Sequence, residues 1–283
     1  MVEFLPPSKA LERFVKQFVI IYSIESIDNL TFLPNGGNFI VFNRGVFGCS
    51  KSIDSANSFE VPQGNSISIK LNKVKQMIVD KKRSSKALFP IILVELEAVG
   101  YYNIFNKDAS GLADRYVLVE ETINDTYFSD IYKHDTIQDE IDYLNKMLLK
   151  LYKSQPSKRL CIKDMIHKII HEDQYETLIK ELLNECDCSR STLERRFKKV
   201  VGVTPKKFIF IMKFCKTLTD YVENGYSFND LPYIYSDQSH MYAVFKKFLG
   251  LAPRELVNNV NNNTIKIYQL KNYYENENFL LDK

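Results

Sequence analysis

The 283-residue sequence has few of the residues from which most catalytic and metal sites are built. It has four histidines, of which His134 alone falls in the N-terminal half, so a histidine-held metal there lacks a ligand set. His167 and His171 are spaced i, i+4, but no glutamate follows in the metalloprotease pattern and no third ligand is near, which leaves a solvated pair as the simpler reading. The five cysteines form no spaced framework and their number is odd, as expected in a reducing compartment. Cys186 and Cys188 flank Asp187; small apolar filler is the simpler reading and a thiol switch the alternative. There is no nucleophile elbow, Walker loop, dinucleotide fingerprint or Cys-x-x-Cys pair, so neither an enzyme nor a cofactor is expected. No apolar run approaches the length of a membrane span. No basic and apolar leader opens the chain, which soon meets Pro6-Pro7, so the expectation is a soluble cytoplasmic protein without a membrane partner.

Acidic residues are scarce in one place. Between Ser189 and Lys216 the only acid is Glu194, against Arg190, Arg195, Arg196, Lys198, Lys199, Lys206, Lys207, Lys213 and Lys216. The whole chain carries only +3, so the charge is concentrated here. Concentrated basic charge is the footprint of a polyanion partner, although a single charge run is more often a solvated face.

The same stretch is used twice. Ser191, Leu193, Phe197, Lys198, Lys199, Gly202 and Pro205 are answered at one constant offset by Ser239, Met241, Phe245, Lys246, Lys247, Gly250 and Pro253. Each copy has the marks of a short helix with a sharp stop: a polar N-cap (Ser189 in one, Ser236 or Asp237 in the other), then apolar positions, then Gly and Pro. At 100° per residue Leu193, Phe197 and Val200 share a core face, as do Met241, Phe245 and Phe248. The opposite face of the first copy presents Ser191, Arg195, Lys198 and Lys199, short polar and basic groups suited to phosphates and base edges.

The set Ser189-x-x-x-Leu193-x-Arg195-x-Phe197-Lys198, Gly202-x-x-Pro205, Tyr235-x-Asp237-Gln238-Ser239-His240, Phe245-Lys246 and Gly250-x-x-Pro253 resembles the DNA-binding domain of AraC/XylS-type transcription regulators over residues 157 to 257. The resemblance implies two helix-turn-helix units joined by a linker helix over Thr204 to Val222, with two reading helices in successive major grooves. It implies that Ser189, Arg190, Ser191, Thr192 and Arg195 face bases or adjoining phosphates and that Arg196, Lys198 and Lys199 hold the backbone. In the second unit it assigns Gln238, Ser239, His240 and Tyr242 as readers and Lys246 as a phosphate contact. Double-stranded DNA is the implied partner, with RNA polymerase, a small-molecule effector and a second copy as further ones.

Departures from the family pattern qualify the second unit. The family's small Ala and turn Gly are replaced by Leu183 and Asp187, the latter a mild change because Asp tolerates a left-handed turn. Phe228 to Tyr235 is shorter than the pattern and contains Pro232, which should truncate the scaffold helix. Ala243 stands where the first copy has Arg195. The first unit should therefore supply most of the affinity, and a degenerate member that works mainly through another protein is the alternative.

The N-terminal part has a different texture. Ser8, Leu11, Phe14, Val15 and Phe18 predict a helix over residues 8 to 22. Runs at Thr31–Leu33, Phe39–Phe42, Ser66–Leu71, Ile91–Leu96 and Tyr116–Val119, parted by turn text, predict an antiparallel sandwich or open barrel. The text from Leu33 to Phe42 and Val99 to Tyr102 resembles the β-rich domain of some regulators of the same family. Phe39, Phe42, Tyr101 and Tyr102 are candidates to line an effector site, and aromatic filling of the sheet's own core is the simpler reading. Ile137, Ile141, Leu144, Leu148 and Leu151 form the stripe of an amphipathic helix over 136–152 that packs on the sheet or meets its mate in a dimer. The expected fold is α+β: a β-rich domain with flanking helices over 1–153, an all-α double helix-turn-helix domain over 157–257 and an Asn-rich tail over 258–283. Whether that tail docks is left open.

Overall fold

A computed structural model describes residues 2–28, 30–32, 34, 37–52, 58–61, 64–69, 75–86, 89–112, 116–122, 127–152, 162, 165, 166, 169, 184, 188–225, 237–261 and 266–268. The expected boundary at 153–158, the scaffold helices around 175–186 (apart from residue 184) and 228–235, His167, His171, Cys186 and Ser236 lie outside them.

The N-terminal part is β-rich, as expected, with two sheets. The first holds β1 (Val2–Leu5), β2 (Val15–Ile21), β9 (Ile91–Leu96), β4 (Asn38–Asn43), β7 (Gly64–Ile69) and β10 (Tyr116–Leu118), in that order and antiparallel throughout. The second holds β11 (Lys266–Tyr268), β3 (Leu30–Phe32), β8 (Lys75–Val79), β5 (Gly48–Ser52) and β6 (Ser58–Glu60). Alternation along the central strands gives each sheet face its own core. Val19, Ile21, Phe39, Val41, Ile91 and Leu93 point to Phe32, Met77 and Val79 of the second sheet, while Phe18, Ile20, Ile40, Phe42, Ile92 and Val94 point to the helices.

The helix predicted over residues 8 to 22 is not there. Turns occupy the stretch to Phe14, closed by hydrogen bonds from the Leu11 N–H to the Ser8 carbonyl (2.8 Å) and from the Val15 N–H to the Leu11 carbonyl (2.9 Å), and Val15 opens strand β2. The spacing misled because β2 is buried on both faces, so its apolar residues do not alternate and a helical subset can be drawn from them.

Helix α1 (Gly100–Phe105) and helix α2 (Ile137–Leu151) cover the first sheet's outer face. Thr136 caps α2, its hydroxyl accepting from the Asp139 N–H at 3.1 Å. Ile141, Leu144 and Leu148 are buried in this chain's own core, while Ile137 and Leu151 at the ends of the stripe are half-buried. Glu140, buried on the same helix, is ion-paired with Arg44 at the end of β4 and ties helix to sheet.

Among the described residues the helical part contains α3 (Arg190–Val201), α4 (Pro205–Glu223), α5 (Gln238–Leu249) and α6 (Pro253–Asn261). Its core is continuous with that of the sheet's helical face: Leu193, Phe197, Phe208, Phe214 and Phe245 join one cluster with Phe18, Phe42 and Leu144. No described helix is long and apolar enough to cross a membrane.

Candidate nucleic-acid interface

The two copies of the repeated stretch become two helices of equal length, α3 and α5, built by the same devices. Ser189 caps α3, its hydroxyl accepting from the Thr192 N–H at 3.3 Å; Asp237 caps α5, its carboxylate accepting from the His240 N–H at 2.7 Å. Each helix stops at a glycine in the left-handed region, Gly202 at φ 96° and Gly250 at φ 75°, where a side chain would be strained. Each glycine N–H returns to the carbonyl four residues back, on Lys198 and Lys246. Pro205 and Pro253 then open the following helices, where a missing N–H costs nothing.

Burial divides both helices as the spacing predicts. Leu193, Phe197 and Val200 are buried, as are Met241, Phe245 and Phe248. Of the assigned DNA-facing residues, Ser189, Arg190, Ser191, Arg195, Arg196, Lys198 and Lys199 are exposed on the first helix. On the second, Gln238, Ser239, His240 and Lys246 are exposed; Thr192 of the first helix and Tyr242 of the second are half-buried. On the first helix Ser191, Arg195, Lys198 and Lys199 lie opposite the buried face, with Arg190 and Arg196 at its margins. The first side is not uniformly available: Arg190 Nε bonds Glu194 Oε1 at 3.1 Å, which leaves Arg195, Arg196 and Lys198 as its less committed cations. On the second helix Ala243 is exposed in the place that Arg195 takes on the first.

Helix α4 spaces the two. Phe208, Ile211, Met212, Phe214, Cys215, Leu218 and Tyr221 are buried along it; Phe197 meets Phe208 edge-on at 5.6 Å and Phe214 stacks on Phe248 at 4.3 Å. Both repeated helices are thus packed on the one spacer helix. Lys206 and Lys207 are exposed in its first turn and extend the basic surface. The charge run contained them, but the family pattern assigned them no role. Lys247 instead lies over the Phe210 ring at 4.7 Å.

The β-rich part reaches the end of the first reading helix. The Lys199 carbonyl, in the last turn where helix carbonyls lack helical partners, accepts from the Ala109 N–H at 2.9 Å. Lys199 Nζ sits 5.8 Å from the Tyr102 ring. Cys215 Sγ donates to the Pro34 carbonyl at 3.6 Å, and burial pushes its thiol up to about 12.

The candidate effector residues do not converge. Phe39 lines a void between the two sheets with Phe32, Val41, Met77, Ile91 and Leu93. Phe42 faces the other core, edge-on to Phe128 at 5.3 Å. Tyr101 is buried in α1, its hydroxyl pushed up to about 12 by burial, and Tyr102 lies beside Lys199. The void measures ≈ 20 Å³, room for about one water molecule. Among the described residues no group of three or more His, Cys, Asp and Glu could hold a metal ion.

A family model described as "Helix-turn-helix domain" matches residues 182–259, which span α3 to α6. No curated protein matches the chain. Among solved structures it is similar to ToxT from Vibrio cholerae, at 11% identity over 91% of this chain and 97% of that one with a TM-score of 0.37. It is also similar to ToxT from Vibrio cholerae O395 bound to (E)-4-(8-methylnaphthalen-1-yl)but-3-enoic acid, at 11% identity over 87% and 93% with a TM-score of 0.41. The AraC-like transcriptional activator CuxR follows at 14% identity over 73% and 74% with a TM-score of 0.26. Likenesses this loose say nothing about what the chain binds.

Proposed function

We propose, from the premise that the C-terminal part of this chain is a helix-turn-helix domain of the AraC type, that the protein is a cytoplasmic, sequence-specific DNA-binding regulator of transcription and not an enzyme. The observation that carries the reading is the duplicated unit: two capped helices with buried inner faces and exposed polar or basic outer faces, both packed on the one spacer helix α4. Two reading helices on a rigid spacer suit two half-sites about one helical turn apart, about 34 Å along the duplex.

The roles differ between the helices. On α3, Arg195 and the hydroxyls of Ser191 and Thr192 address base edges, while Arg196, Lys198 and Lys199 neutralise phosphates. On α5, Gln238, Ser239 and His240 read, and Lys246 is the exposed phosphate contact. Because Ala243 replaces the arginine, the second helix carries less of the affinity. RNA polymerase is the partner through which such a domain would act on transcription. A second copy would use a surface other than the buried α2 stripe. A small-molecule effector larger than water needs a wall of the inter-sheet void to move.

Selection of DNA from a random pool tests the reading. The expected product is a bipartite motif with half-sites about 10 base pairs apart, the first better defined than the second. A pool that emerges unenriched would contradict it.

A further inference from the structure

The chain does not end at the helix-turn-helix domain. After α6 the strand β11 returns to the β-rich part and pairs in parallel with β3, Lys266 with Leu30, Ile267 with Thr31 and Tyr268 with Phe32. It is one of the two edge strands of the second sheet, and its pairing is that sheet's only parallel one among the described residues. Three residues in a parallel ladder make a weak attachment. Without it, β3 would present an open row of backbone groups at the sheet edge.

Strand β3 is where three features meet. Its Phe32 is buried, meets Phe39 edge-on at 5.9 Å and forms one wall of the void. Its outer edge holds β11. Just beyond its end, the Pro34 carbonyl accepts from Cys215 on the spacer helix. Helix α6 ends at Asn261 and β11 begins at Lys266, so the chain between them spans at most about 18 Å.

We propose that β11 is a detachable strap: docked on β3 it holds the Phe32 wall closed over the inter-sheet void, and undocked it frees that wall. The occupant of the β3 edge is this chain's own segment Lys266–Tyr268. The ligand class admitted by the open void is an uncharged apolar molecule, because the walls are apolar except for Asn43, whose side-chain amide is engaged by the backbone of Gly45 and Val46. The closure of the void does not rest on the regulator reading.

The test uses the full chain and needs no DNA. Hydrogen exchange of the peptide covering Leu30–Phe32 and binding of the neutral apolar dye Nile red are measured for four proteins: the wild type, Ile267→Pro, a deletion of 262–283 and a deletion of 273–283 that keeps β11. Ile267→Pro removes a strand donor, so exchange at Leu30–Phe32 should rise and dye affinity should increase at least about fivefold. The deletion of 262–283 should do the same, and the deletion of 273–283 should change neither. Circular dichroism monitors folding; if the long deletion fails to fold, the point variant decides. Unchanged exchange in a folded Ile267→Pro protein overturns the strap, and raised exchange with unchanged dye binding overturns the closure. Protection that grows with protein concentration shows that the strand comes from a second copy, and overturns the proposal as well.

Discussion

At the scale of single residues, buried polar groups and caps carry the sharpest expectations. Glu140 and Arg44 form an ion pair in which Glu140 Oε2 and Arg44 Nε are buried without further partners, and burial lowers the pKa of Arg44. Removing Glu140 leaves the partly exposed Arg44 beside the Tyr132 ring, so Glu140→Ala should cost about 1 to 3 kcal/mol in urea unfolding. The double change Arg44→Met with Glu140→Leu should cost clearly less, because it removes both desolvation penalties. Asp237→Ala removes the cap of the second reading helix and should cost about 1 kcal/mol, while Asp237→Asn should be nearly neutral. Cys215 offers a test of burial without mutation. Its thiol is pushed up to about 12, so in the folded protein at pH 8 it stays protonated and should not react with a thiolate-selective reagent, although it should do so after denaturation.

At the scale of elements, the two reading helices share a design but not a charge. Arg195→Ala should therefore weaken DNA binding more than Gln238→Ala or His240→Ala, with the arginine worth about 1 to 3 kcal/mol if it reads a base. Lys198→Ala should lower affinity evenly across sequences and reduce the salt slope by about one. Anisotropy titrations of these variants on one DNA separate the two behaviours, and equal losses from Arg195→Ala and His240→Ala would refute the unequal division. The caps, core faces and stops of these helices were legible in the sequence, because Ser189, Asp237, Gly202 and Gly250 are chosen by local backbone chemistry that a motif exposes directly. The strands were less legible. Ile91–Leu96 stood out as a continuous apolar run, but Val15–Ile21 looked helical, because burial on both faces erases alternation. Gly48–Ser52 and Lys75–Val79 carry too few β-branched or aromatic residues to announce themselves. Strand β11 shows only weak alternation from Thr264, and its pairing with β3, more than two hundred residues away, cannot be read from a local pattern.

At the scale of the whole molecule, the β-rich and helical parts share one core, with Phe18, Phe42, Leu144, Phe197, Phe208 and Phe245 in a single cluster. Thermal unfolding of the full chain should therefore show one cooperative transition, with calorimetric and van't Hoff enthalpies in agreement. Two resolved transitions would mean that the parts fold independently. The Ala109 to Lys199 hydrogen bond joins the β-rich part to the first reading helix itself, so a change in one can reach the other without a flexible linker. The central claim is that this joined architecture reads DNA. It is tested most directly by fluorescence anisotropy of the purified full chain on the DNA upstream of its own gene and neighbouring operons, across a salt series and with scrambled competitor. The account predicts tight binding to one fragment that survives competition by a factor of about a thousand or more. Weak binding to every fragment alike, vanishing at moderate salt, would contradict it.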